Sequence, residues 1–259
     1  MTYLLNLNNY RDLLILWTGR EIRVRYKQSL LGVGWAILQP VALTIVFSIV
    51  FSRIVQVNTG GIPYPIFAYA ALVPWTFFAT SLSFGIPSLV NNLSLVSKIY
   101  FPREILPFAN IGAALLDYAM AGLVFIGMML IYQIPITLYA LWVIPLLAIQ
   151  IILTAGVALV GSAAIVFFRD VRFVIPLLIQ IWMYASPVIY PIDLIPAAYL
   201  PLYYLNPMAA IIDGYRRVLL EGQPPNIPAV LIALVVSLIS LIVGYFVFKR
   251  SEPMFADLI

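Results

Sequence analysis

Long apolar runs alternate with short polar segments along almost the whole chain. Six of these runs approach or exceed the length that a helix rising about 1.5 Å per residue needs to cross a hydrocarbon core of about 30 Å. The apolar runs are continuous and do not alternate in period two, so they predict helices and disfavour membrane β-strands. The predicted spans are residues 33–55, 66–90, 108–132, 140–168, 173–190 and 227–248.

Composition places this pattern in a membrane. The 259 residues are 64% hydrophobic and 9% charged, and the mean hydropathy is +1.05, which is outside the range of soluble domains of this length. We therefore expect an all-α integral membrane protein with a single transmembrane domain over residues 1–259. The chain has no Cys and no His, which excludes disulfides, thiolate or imidazole metal sites and His-based acid–base catalysis.

An amphipathic helix is predicted before the first span, over residues 10–27. Apolar positions recur at helical spacing and basic positions cluster on another side, which is typical of helices that lie on a membrane surface. The alternation of Arg23, Arg25 and Lys27 leaves open whether the last turn is helical or extended. The candidate contacts with headgroups and the membrane interface are Trp17, Arg20, Arg23, Arg25 and Lys27.

Basic residues are unevenly divided between the two predicted sides of the membrane. Of 14 Lys and Arg residues, three fall on one side, at Arg53, Arg216 and Arg217, and the rest fall on the other. Because Lys and Arg are enriched in cytoplasmic loops, both termini and the polar segment 97–107 are predicted to be cytoplasmic, in a plasma or inner membrane. The basic residues are dispersed and form no single patch, so nucleic acid is not an expected partner.

The segment 191–225 breaks the alternation, because it is too long for a turn and too apolar for a solvated loop. We predict re-entrant outer helices here, between the fifth and sixth spans. Asn206 and Pro207 form a helix start and Gly222 a stop, which gives a helix over residues 208–221. On it, Asp213, Arg216 and Arg217 are expected to face water or headgroups.

Chemistry within the chain is sparse. No Gly-Lys pair occurs, so the phosphate-binding loop of ATPases is absent and no cofactor is expected in this chain. Asp117 is the only acidic residue well inside a predicted span. We favour a hydrogen bond to a neighbouring helix, or a place facing a wet cavity, over a role in ion coupling, although intramembrane charge is a functional hypothesis by default.

Three stretches carry a family resemblance: residues 25–40 (RYKQSLLGVGWAILQP), residues 96–107 (VSKIYFPREILP) and residues 205–208 (LNPM). Together they resemble the permease subunits of ABC-2-type polysaccharide exporters, which handle O-antigen, capsular polysaccharide or teichoic acid. The resemblance implies a homodimer with two ATP-binding cassette subunits that bind ATP and Mg²⁺, set among membrane lipids. It also implies a lipid-linked polysaccharide substrate that moves outward. It does not fix the substrate branch.

In the family, the loop between the second and third spans docks on the ATPase. Three consecutive large apolar residues in a short cytoplasmic loop are poorly suited to solvent alone, which favours docking over an ordinary positive-inside loop. The amphipathic helix is as well suited to sharing this contact as to anchoring on the membrane. The coupling residues that the resemblance implies are Lys98, Ile99, Tyr100, Phe101, Arg103 and Glu104.

By the same resemblance, the first and fifth spans line the translocation path and the re-entrant segment forms an outer gate. Aromatic faces with few fixed charges suit a sliding sugar polymer, while belts at the membrane interface and helix packing are the ordinary alternative. The path residues are Trp35, Gln39, Phe47, Phe51, Gln180, Trp182 and Tyr184. The gate residues are Tyr199, Tyr203, Arg216 and Arg217.

Two other functions compete with polysaccharide export. One is an ABC-2 exporter of drugs or lipids, distinguished by the width and aromatic lining of the path. The other is a membrane-embedded glycan or lipid transferase, which needs acidic residues clustered at one membrane face. Asp193, Asp213 and Glu221 are the outward candidates, and their spacing lacks a metal-site signature.

Overall fold

The computed structural model describes residues 2–27, 29–96 and 101–255, with side chains from residue 10 onward. Every regular element in these ranges is a helix, as predicted. The α-helices are α1 Thr2–Tyr26, α2 Gly34–Phe47, α3 Tyr64–Gly85, α4 Ser88–Asn91, α5 Leu93–Val96, α6 Ile105–Ile131, α7 Val143–Phe167, α8 Val171–Tyr184, α9 Leu200–Tyr203, α10 Pro207–Leu219 and α11 Ile227–Ser251. A π-helical segment, Ser48–Ile54, extends α2, and 3₁₀ segments lie at Leu138–Trp142, Ile192–Leu194, Ala197–Tyr199 and Glu252–Met254.

Five helices in the described ranges are long and apolar enough to cross a membrane. They coincide with five of the predicted spans, and their bounds are Gly34–Ile54, Tyr64–Gly85, Ile105–Ile131, Leu138–Phe167 and Ile227–Met254. The remaining predicted span, 173–190, contains α8, an apolar helix of 14 residues. The protein is therefore a multi-pass helical membrane protein.

The second predicted span is shorter than expected. The sequence predicts a helix over 66–90, whereas α3 ends at Gly85 and two short helices, α4 and α5, follow it. Pro87 lies at this break. Proline has no N–H to donate and crowds the preceding turn, which favours a helix break at Pro87, although α3 continues through Pro74. The apolar run is divided between three helices.

α3 is the central helix of the bundle. In the most apolar 18-residue stretch of α3, 78% is buried inside the protein. The corresponding share is 50% for the span that contains α7, 22% each for α6 and α11, and 11% for α2. α3 packs against α2, α6, α7, α8 and α10. The outer helices therefore keep faces for lipid or for partners, while α3 forms the core.

α7 and α11 run parallel to each other in close contact. At one end Gly222, just before α11, lies against Thr137, just before the 3₁₀ turn that leads into α7. Further along, Gly156 of α7 lies against the backbone of Ser240 in α11. At the far end, Phe248 and Phe255 pack in one cluster with Leu159, Ala163 and Val166 of α7. Small residues allow this backbone approach, as is usual for helix pairs in membranes.

Candidate functional site

The N-terminal helix includes the predicted residues and begins earlier, at Thr2, and one face of its last turns packs inside the protein. α1 packs along α6, with Thr18 against Gly112. Arg25 and Tyr26, at its end, reach Asp117. Asp117 lies 12 residues after the start of α6, or about 18 Å along the helix axis. The C-terminal end of α1 therefore sits beside the middle of a membrane-spanning helix.

Asp117 is paired inside the protein. Arg25 Nη1 lies 2.5 Å from Asp117 Oδ2, and the hydroxyl of Tyr26 donates to Asp117 Oδ1. The guanidinium of Arg25 also covers the ring of Phe84, at 4.3 Å from its centroid. Burial and the bond to Asp117 raise the pKa of Tyr26 to about 12, so the phenol remains a donor. The expectation that Asp117 bonds to a neighbouring helix is confirmed, because α1 supplies both partners.

The other basic residues of α1 lie in different environments. Arg20 covers the ring of Trp17 and bonds to Glu21 and Asn92. Arg23 and Lys27 are exposed, as lipid-facing residues would be. The prediction that Arg25 faces headgroups is wrong. Its side chain is 10% exposed because Asp117 provides a buried partner, and a paired charge is tolerated at this depth.

A cavity of about 200 Å³ lies beside the buried pair, and we call it the polar cavity because charged and amide groups contribute to its partly apolar wall. Arg25, Tyr26 and Asp117 contribute to its wall, and α2 adds Trp35 and Gln39. The remaining lining residues come from α2, α3 and α6, and are Ala36, Pro40, Thr76, Phe77, Thr80, Phe84 and Tyr118. Two residues predicted for the translocation path thus line the same cavity as the intramembrane ion pair.

The described part of the segment predicted to couple to an ATPase contacts α1 and α11. Phe101 stacks on Trp17, with ring centroids 6.2 Å apart. Arg103 donates to Glu252 through its backbone N–H at 3.3 Å and through Nη1 at 2.5 Å. Glu104 is 6% exposed and pairs with Lys249 at 2.8 Å. Lys98, Ile99 and Tyr100 lie outside the described residues.

The predicted path residues divide into two groups. Trp35, Gln39, Gln180 and Tyr184 are exposed on α2 and α8. The others pack inward: Phe47 and Phe51 lie against each other and Phe51 stacks on Tyr64, while Trp182 donates to Asn206 at 2.8 Å and contacts Phe78. Within one copy of the chain, these residues do not form one continuous lining.

The predicted helix after Asn206 exists and begins as expected. The Asn206 side chain accepts the N–H of Met208 at 3.1 Å, and Pro207 occupies the first turn. α10 ends at Leu219, and Gly222 adopts a positive φ of 61°, a conformation that glycine adopts readily. Tyr199 is exposed and the Tyr203 hydroxyl lies 3.0 Å from that of Tyr190.

Two residues of α10 are not placed as predicted. Asp213 is 7% exposed and Arg216 is 4% exposed, so the expectation that they face water or headgroups is wrong. Arg216 donates to the carbonyls of Phe67, Pro187, Val188 and Tyr190 at 2.6–3.3 Å. These bonds compensate for the loss of water around the guanidinium. Burial raises the pKa of Asp213 to about 6.

Arg217 differs from its neighbour. Its Nε donates to the carbonyl of Pro224 in an exposed bond of 3.2 Å, so it lies where the sequence places it. Helical geometry turns adjacent residues to different sides, and this separates the buried Arg216 from the half-buried Arg217.

Two polar residues make contacts between elements that sequence reasoning missed. Asn206 contacts Trp182, Ala185 and Ser186 in addition to capping α10. Gln150 Nε2 donates to the carbonyl of Pro74 inside α3, at 2.6 Å. The available signal is an uncharged polar residue in an apolar run, because such a residue needs a hydrogen-bond partner inside the protein.

The fold and the buried polar sites define a multi-pass helical membrane protein, and comparison with known proteins defines its family. The chain belongs to the ABC-2 type transporter family, which it matches over residues 12–220. It is 30% identical over 255 residues to the O-antigen export system permease protein RfbA of Klebsiella pneumoniae, covering 98% of this chain and 97% of that protein.

Two further relatives align over most of their lengths. The O-antigen export system permease protein RfbA of Myxococcus xanthus is 28% identical over 257 residues, which are 97% of this chain and 96% of that protein. The polysialic acid transport protein KpsM of Escherichia coli is 25% identical over 243 residues, or 90% and 91% of the two chains. The alignments with the two RfbA proteins leave too few residues of this chain outside them to omit any of the five candidate spans.

Proposed function

We propose that this chain is the membrane-spanning subunit of an ATP-driven exporter that moves a lipid-linked polysaccharide out of the cytoplasm across a plasma or inner membrane. The observation that carries the proposal is similarity over at least 90% of this chain to permeases named for O-antigen export and polysialic acid transport. Since the sequence has no P-loop, ATP and Mg²⁺ bind to separate partner subunits in this scheme.

Parallel packing of α7 and α11 supports six membrane crossings. α7 ends at Phe167, and α11 begins beside the start of α7, because Gly222 lies against Thr137. The chain between them must therefore return across the bundle once. α8 supplies about 21 Å of that crossing, and the turn that follows it supplies the rest. The segment 191–225 is then the outer, re-entrant part.

Clustering of charged groups at one end of the bundle supports the proposed orientation. α1, the segment before α6 and the end of α11 meet through Phe101, Arg103, Glu104 and Lys249. Most of the Lys and Arg residues fall on this side of the predicted topology. Enrichment of such residues marks the cytoplasmic side, which supports a cytoplasmic location for both termini.

At the same end we place the docking of the ATPase, on the segment predicted to couple to it; the described part of this segment, residues 101–104, contacts α1 and α11. Phe101 and Arg103 attach this segment to α1 and α11. A partner that displaces it would therefore move two helices as well as the loop. Apolar anchors at the centre of a polar rim are the usual energetic core of such an interface, and Ile99, Tyr100 and Phe101 are our candidates.

A homodimer with its path between subunits fits the exposed faces of α2 and α8. None of the residues of α8 is buried, and Gln39 and Gln180 are exposed on mostly apolar helices. An amide facing hydrocarbon is costly, whereas one facing an aqueous path is not. Six helices of about 10 Å diameter also leave little room for a polymer inside one chain.

Deletion of the gene in its native cell, with labelling of the polymer, tests the function. We expect lipid-linked polymer to accumulate in the cytoplasm and surface polymer to be lost, with both restored by the wild-type gene. Normal surface polymer would contradict the proposal and favour export of drugs or lipids. Absence of polymer from every fraction would instead indicate a transferase.

A further inference from the structure

The polar cavity at the end of α1 carries unused hydrogen-bonding capacity at membrane depth. The Arg25 side chain is nine-tenths buried. Within the described ranges, its Nη2 is buried and has no hydrogen-bond partner. A buried donor left unpaired costs about 1–3 kcal/mol. This cost is removed when a polar ligand or water occupies the cavity.

Neighbouring residues add further donors and acceptors. Among the described residues, the side chains of Gln39 and Thr80 make no hydrogen bond, and both line the cavity. Gln39 belongs to a mostly apolar helix, and few of its residues are buried. An amide at that position is unfavourable against lipid alone, so its presence points to a polar occupant.

An aromatic face completes the cavity. Trp35 is 51% exposed and lines the same wall as Gln39. A pyranose ring presents C–H groups on one face and hydroxyls around its edge, so it can lie against an indole while its hydroxyls bond to planar polar groups. The combination of an exposed indole, a guanidinium, a carboxylate and an amide around one small cavity matches that chemistry.

We propose that this cavity binds one neutral sugar ring, through hydroxyls that accept from Arg25 Nη2, donate to Asp117 and pair with Gln39, with the ring face on Trp35. The inference rests on the proposed function, since it assigns a subsite for the exported polymer. The ligand is a sugar and not a phosphate, because Asp117 already neutralises Arg25 at 2.5 Å and would repel a second anion.

The test uses the complete complex of this chain with its ATPase subunits in lipid nanodiscs. The probe is lipid-free oligosaccharide released from the cell's own exported polymer, and its binding is measured by saturation-transfer NMR. We expect Gln39→Leu and Thr80→Val each to raise the Kd about 2- to 12-fold, because each variant loses one hydrogen bond to the sugar. Trp35→Leu should weaken binding over a similar range, while Trp35→Phe should retain most of it.

Ile45→Leu is the matched control, because Ile45 is an exposed apolar residue of the same helix, and it should bind like the wild type. Unchanged Kd values for Gln39→Leu, Thr80→Val and Trp35→Leu would overturn the proposal, as would a wild-type complex that does not bind the oligosaccharide. Displacement of the sugar by inorganic pyrophosphate, weakened by the same substitutions, would reassign the cavity to a phosphate.

The two proposals fail in different ways. If deletion of the gene leaves surface polymer unchanged, export itself is wrong. If deletion traps polymer inside the cell but the cavity variants bind oligosaccharide normally, only the assignment of this cavity is wrong.

Discussion

Single buried charges organise the irregular parts of this protein. Asp117 draws the end of α1 against the middle of α6 through Arg25 and Tyr26. Arg216 joins the segment after α8 to α3 by donating to backbone carbonyls of both. In each case a charged residue in an apolar setting is stable because its partners are fixed. Such residues therefore serve the structure first, and any transport role depends on that structure.

Arg216 and Arg217 form a natural matched pair for testing this view. We expect Arg216→Met to lower the free energy of unfolding by at least about 3 kcal/mol, because several buried carbonyls lose their donor. Arg217→Met should change it by less than about 1 kcal/mol, since its bond to Pro224 is exposed. Thermal unfolding of the two variants in the same detergent measures the difference. Equal losses of stability would show that the bonds to Arg216 contribute little.

At the scale of elements, the contact between α7 and α11 fixes the topology. The two helices approach closely enough that a Cβ on Gly156 would lie 2.5 Å from the backbone carbon of Ser240. Parallel neighbours require a long connection between them, and residues 168–226 provide it. α8 and the outer segment belong to the connection that the parallel orientation of α7 and α11 requires.

Two glycine-to-alanine changes test the importance of this contact. Gly156→Ala should destabilise the protein by about 1–3 kcal/mol through overpacking. Gly122→Ala in α6 should be neutral or stabilising by up to about 1 kcal/mol, because a Cβ there meets nothing within 4 Å and alanine is the better helix former. The midpoints of thermal unfolding report both effects. A stable Gly156→Ala variant would mean that the two helices can separate without cost.

At the scale of the whole molecule, one continuous set of contacts joins the proposed ATPase surface to the polar cavity. Phe101 stacks on Trp17 in α1, and the last residues of α1 bond to Asp117. Arg103 and Glu104 bond to the end of α11, through Glu252 and Lys249. A shift of the segment 97–104 would therefore reach the membrane-embedded residues through packed helices, as mechanical coupling requires.

Replacing the apolar residues of this segment should weaken partner binding. We expect Ile99→Ala, Tyr100→Ala and Phe101→Ala together to reduce recovery of the ATPase subunit in pull-downs by at least about 10-fold, the effect of losing a central apolar anchor. The control replaces Ile134, Ile136 and Leu138 with Ala in a connection at the opposite end. If the segment variant retains its ATPase subunit as well as the control does, docking occurs elsewhere.

The sequence by itself determined that the chain lies in a membrane, that it is all-helical, where most of the spans lie and where α10 starts. These features depend on local properties: the length of an apolar run, the need to satisfy backbone groups within a helix, and an Asn-Pro cap. The motifs at residues 25–40 and 96–107 indicated the family for the same reason, since they are contiguous in the chain.

Only the tertiary structure decided which polar residues are buried and with whom they pair. Arg25 and Asp117 are 92 residues apart, and Arg216 and Phe67 are 149 apart, so no local pattern relates them. Arg216 and Arg217 are identical residues side by side, yet one is buried and the other is not. The difference arises because burial of a charge depends on partners that the fold brings from distant parts of the chain.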